Sequence, residues 1–93
     1  HEDNVRAAEL ANELGQPDWQ AFFMVRDAQN RLATGEPAVA ERRAREAGAL
    51  LGPDSPPGSV GRVLETLGSA LDEQGKPVRS DPLVRELTAR LRG

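Results

Sequence analysis

The sequence predicts an all-α fold of about five short helices, arranged as antiparallel helical hairpins or a small bundle. Three observations predict it. Apolar residues recur at three- and four-residue spacing along most of the chain, the period that gathers side chains on one helix face. Gly, Pro, Ser and Asp fall between those periodic segments, where they stop one helix or start the next. Segment 19–51 reads as two helices folded back across Thr34-Gly35-Glu36-Pro37. The first holds Trp19, Phe22, Phe23, Met24, Val25 and Leu32, and the second is lined by Ala38, Ala40, Ala44, Ala47 and Ala49. A bulky face against a small one packs closely and leaves few voids.

The 93 residues are expected to form a single domain, 1–93. It divides into a three-helix part at 4–51, a Pro/Gly linker at 52–58 and a helix pair at 59–93. A chain this short buries roughly 60–68% of the surface its unfolded form exposes, so its core is modest. With two Phe, one Trp and no Tyr, the interior must come mostly from Leu, Val and Ala. The absence of cysteine removes disulfides, thiolate metal sites and Cys nucleophiles together. No apolar run approaches the ~20 residues needed to cross a bilayer, and no signal-peptide core is visible. The expectation is a cytoplasmic protein with no membrane partner. The chain begins with His1, read as a trace of processing, of excision from a longer protein or of a tag.

The helix expected first, over 4–14, places Ala7, Leu10, Ala11 and Leu14 on one face, with Asp3 or Asn4 as cap and Gly15 as stop. Gln16-Pro17-Asp18 reads as a turn, with Asp18 capping a helix over 19–34. That second helix is apolar on two sides, which places it centrally, and Asp27 and Arg31 are expected as an i,i+4 pair on its wet side. Gly35-Glu36-Pro37 stops it and starts the third, since proline prefers a first helical turn. The third helix runs to Leu51 with Ala40, Ala44, Ala47 and Leu51 inward and Glu41–Arg45 and Arg42–Glu46 outward. Gly48 in its middle costs about 1 kcal/mol of helix propensity, which points to close backbone approach.

Three prolines in the seven residues 52–58 predict an extended, semi-rigid connection. Ser59 then caps a helix over 60–74, whose stripe of Val60, Val63, Leu64, Leu67 and Leu71 suits either the hairpin or a twin helix in a dimer. Gly75 ends it. Asp81 and Pro82 start the last helix, 82–92, which is expected to bury Leu83, Val84, Leu87 and Leu91.

Ala28, Gly35, Ala40 and Ala47 follow a spaced pattern of small residues, and Pro53 closes it one position late. Over 4–53 the chain therefore resembles a tetratricopeptide repeat. Ala7, Ala11 and Leu14 echo Ala40, Ala44 and Ala47 at a period of 33, close to that family's repeat length. Asp27 and Arg31 depart from the pattern, standing where it wants apolar residues, and Met24 stands at its usual tryptophan. The resemblance implies a scaffold for protein contacts, whose inner helix face holds a peptide or partner domain. A chain with few repeats is then expected to complete its core by pairing with another copy.

Little in the chain suits catalysis, and no catalytic residue, metal ligand or cofactor is assigned. His1 is the sole histidine, and a metal brace at a chain terminus wants a second. Glu2-Asp3 and Asp72-Glu73 fall on polar faces or ends without a partner acid at a defined separation. Gly58-Ser59-Val60-Gly61 lacks the lysine and the preceding strand of a phosphate loop. Net charge is −3, with 9 acidic against 6 basic residues up to Gly52 and 6 against 6 beyond it, which argues against nucleic acid. Arg42, Arg43 and Arg45 cluster but are interleaved with glutamates, and stacking aromatics are scarce. Eleven of the 12 basic residues are Arg. With the abundant Ala and Gly, that composition fits a GC-rich bacterial coding sequence.

Trp19, Phe22 and Phe23 are commonly core residues at such spacing. In a chain this poor in aromatics, they are also candidate anchors for a partner. The expectation is a non-catalytic protein–protein interaction or regulatory module, part of a larger bacterial protein, that binds a protein partner or itself. Trp19, Phe22, Phe23, Arg42 and Arg45 are its candidate contact residues. A helical oligomerisation or sensor domain of a transcriptional regulator is the alternative, and a small-molecule-binding bundle the third.

Overall fold

Four helices and no strand occur among residues 17–93, the part of the chain that the structure, a computed structural model, describes. They are α1 (Pro17–Ala33), α2 (Pro37–Leu50), α3 (Pro57–Glu73) and α4 (Pro82–Arg92). The fold is all-α, as expected. The helix expected over 4–14 lies outside the described residues.

Every described helix begins at a proline, whose fixed φ suits a first turn and whose missing N–H would have no helical partner there. Two expected boundaries move for this reason. Asp18 lies inside α1 rather than before it, and Ser59 lies inside the first turn of α3, whose N-cap is Pro56. Two helices stop at glycine. Gly35 (φ +77°) and Gly75 (φ +70°) take the left-handed conformation. The amides of Glu36 and Lys76 then donate back to the carbonyls of Arg31 and Leu71, at 2.8 and 3.0 Å. Both ends have the six-to-one hydrogen bond of a Schellman cap, which satisfies carbonyls the helix leaves open.

The α1–α2 turn folds the hairpin so that its small face closes on α1 and α3. Ala28, Ala40, Ala44 and Ala47 are all fully buried. One core cluster joins Met24 and Val25 of α1 to Ala47, Val60, Val63 and Leu87; the other joins Ala28, Ala40 and Ala44 to Leu67, Leu71 and Val84. The stripe on α3 is thus consumed within the chain, against the hairpin and α4. Among the described helices α3 packs closely against each of the other three. Its Val/Leu stripe is continuous, whereas the second apolar flank of α1 is its aromatic end, which stays partly open. Gly48 does mark a close approach: a Cβ there would lie 3.2 Å from Leu83 Cδ2.

Three further expectations change. The 52–58 stretch is not extended throughout: Gly52 and Ser55 close a turn by Ser55 N–H to Gly52 O (3.1 Å) and Gly52 N–H to Ser55 Oγ (2.9 Å), and α3 has begun by Pro57. Leu91 is 42% exposed, because the stripe on α4 runs one turn past its last buried residue, Leu87. Asp27 is fully buried, because the face of α1 that bears it turns toward α2.

Candidate partner-binding site

Positions 22 and 23 lie three and four residues after position 19, one helical turn on, so α1 presents the three rings on one flank. Phe22 meets Phe23 edge-on at 5.4 Å between centroids and Trp19 edge-on at 5.9 Å, while Trp19 stacks on Phe23 at 6.1 Å. Such geometry follows the ring quadrupoles and orders the three as a unit. Phe23 packs against the core, but Trp19 is 55% exposed. Two guanidiniums attend the Phe22 ring: Arg26, one turn along α1, at 5.9 Å from its centroid, and Arg62, from the first turns of α3, at 5.7 Å. Both are within cation–π range. Below the ring a groove of about 330 Å³ runs between α1 and the start of α3, with Phe22, Val25, Leu51, Val63 and Arg62 in its lining.

The structure brings together three of the five residues expected as contacts. Arg42 and Arg45 lie elsewhere, on the outer face of α2. Arg45 is committed inside the chain: its Nε donates to Glu41 at 2.9 Å and its terminal nitrogen to Asp81 at 2.6 Å. Asp81 caps α4 with its other oxygen, accepting from the amides of Leu83 (3.0 Å) and Val84 (3.1 Å). The pair therefore pins the start of α4 to α2, and the Arg45 hydrogen bond holds the Asp81 carboxyl below its usual range. Arg42 is exposed, and Glu46 pairs with Arg43 at 3.1 Å rather than with Arg42.

Glu41 is the polar hub of that face. Its Oε1 accepts from Lys76 Nζ and Gln74 Nε2, each at 2.9 Å, and its Oε2 from Arg45. The Lys76 hydrogen bond, with those from Arg45 and Gln74, lowers its pKa from 4.5 to about 2 against the opposing effect of burial. A carboxyl whose pKa is depressed by folding stabilises the fold above its unfolded value, and loses that contribution as pH falls through the folded one. The unfolding midpoint in urea is therefore expected to hold down to the ordinary carboxylate range and to fall between about pH 4.5 and 2. Glu41→Gln is expected to cost about 1–2 kcal/mol at neutral pH, less than the full shift because Lys76 is exposed and screened. It is also expected to flatten part of the acid slope.

Sequence reasoning missed Arg62 because its ring contact is between helices. Arg26 was legible, one turn after Phe22. Among the described residues no group of three or more His, Asp or Glu side chains is placed to hold a metal ion. No helix among them is long and apolar enough to cross a membrane. No family model matches this chain, and no solved structure matches it. Its function is therefore argued from the site.

Proposed function

We propose that this chain is a non-catalytic protein–protein interaction module, with a tetratricopeptide-like hairpin as its frame and the flank Trp19–Phe22–Phe23 as its contact surface. The observation that carries the reading is Trp19, more than half exposed while stacked on a neighbour that packs against the core. Exposing the chain's only tryptophan forgoes burial, whereas a rigid, pre-stacked aromatic on a helix anchors a partner at little entropic cost. The small-molecule reading is weaker, because the groove is open and near the lower limit of ligand pockets, roughly 300 Å³.

Selection of a displayed random-peptide library on the immobilised chain tests this. Enriched peptides are expected to lose about tenfold or more in affinity on Trp19→Ala, the loss typical of a hot-spot residue. Far-UV circular dichroism should not change, since the side chain is mostly in solvent. If no enriched peptide responds to Trp19→Ala, the surface is not a contact site and the reading fails.

A further inference from the structure

Resting on that reading, we infer that the partner segment is acidic as well as apolar: a peptide in which a bulky apolar side chain enters the groove beside Phe22 while a flanking Asp or Glu meets Arg26 and Arg62.

Charge carries the inference. Arg31, Arg43, Arg45 and Lys76 each meet a carboxylate within the chain. Arg26 and Arg62 do not: among the described residues no carboxylate is ion-paired with either, which is also true of Arg42, Arg79, Arg85, Arg90 and Arg92, but these two alone converge on one aromatic ring, that of Phe22. Arg62 lines the groove, and no acidic residue does. The start of α3 adds to the same sign. Its N-cap Pro56 offers no side-chain hydrogen bond, and Gly58 and Ser59 line the groove, so the positive end of the helix dipole faces the opening. A chain of net charge −3 thus carries a positive island beside its one exposed aromatic flank.

The same arrangement disfavours a second copy as the occupant. A two-fold contact places a patch against itself, which would set the arginines of one copy beside those of the other. An acidic segment removes that repulsion and supplies a counter-charge that no described residue does. A guanidinium over a ring keeps its N–H edge free, so it can take a carboxylate without leaving Phe22.

The test uses the peptides enriched on the wild-type chain and the double variant Arg26→Gln/Arg62→Gln. The enriched sequences are expected to place Asp or Glu next to a Leu, Phe or Trp. In fluorescence anisotropy, the double variant should weaken binding by roughly tenfold, and higher salt should weaken the wild-type complex. Replacing the peptide carboxylates by amides should cost as much on the wild type and little more on the double variant, which assigns the loss to this pairing. If peptides depend on Trp19 but lack acids and bind the double variant equally, the charge inference falls while the interaction module stands. If none depends on Trp19, both fall. A dimer in sedimentation that Trp19→Ala dissociates would give the surface to a second copy and overturn the inference.

Discussion

Ala44→Leu is expected to lower the free energy of unfolding by about 2–3 kcal/mol, near the top of the range for adding carbons to a packed core. Ala44 is fully buried, in one cluster with Ala28 of α1, Ala40 of α2 and Leu67, Ala70 and Leu71 of α3. So many alanines at one crossing mean that the helix backbones approach closely. Three added carbons have no slack to enter, and interiors at crystal-like density relax only partly. Ala49→Leu is the control. It adds the same carbons to the same helix at an exposed position, where the effect should stay within about 0.5 kcal/mol. Urea unfolding followed by far-UV circular dichroism measures both. Equal, small effects at the two sites would show that α2 is not seated on its small face.

That small face was legible because alanine spacing is local information: Ala40, Ala44 and Ala47 sit one turn apart and all turn inward. Stops at Gly35 and Gly75 and the cap at Asp81 were legible for the same reason, since backbone geometry demands those residue types at those points. The sequence was misleading where an inter-helix contact decides. Glu46 has arginines three and four residues before it, and only the turn of Arg43 toward α1 selects it as the partner. Asp27 and Arg31 have the spacing of a solvated pair on an isolated helix. Nothing local says that α2 brings a second arginine over them. The candidate site divides in the same way: three aromatics on one helix flank, and Arg26 one turn on, could be read from spacing, but the other half of the cationic rim could not, because Arg62 reaches Phe22 from α3.

The buried carboxylate yields the second large effect. Asp27 Oδ2 lies 3.2 Å from Arg43 Nε, and Oδ1 lies 3.8 Å from Arg31 Nε; the carboxylate is wholly buried while both arginines keep an edge in water. Removing one partner of such a pair leaves charge in a poorly solvating place, which costs about 3–5 kcal/mol for a fully buried pair. Arg43→Met is expected to cost less, about 2–3 kcal/mol, because Arg31 remains beside Asp27. Asp27→Asn keeps the shape and removes the charge, and should cost about 1–2 kcal/mol. The double variant should then lose less than the sum, with a coupling of roughly 1–2 kcal/mol. Additivity within about 0.5 kcal/mol would mean that the two residues do not act as a pair. The physical sense of the pair lies in the smoothness of its surroundings. Alanine against alanine has few knobs and holes to set how one helix slides or rotates on the other, whereas a carboxylate held by a guanidinium from the facing helix allows one register. The double variant is therefore expected to keep its helicity yet show broadened amide resonances along α1 and α2. Sharp, fully dispersed resonances in that variant would assign the register to the flanking core clusters instead.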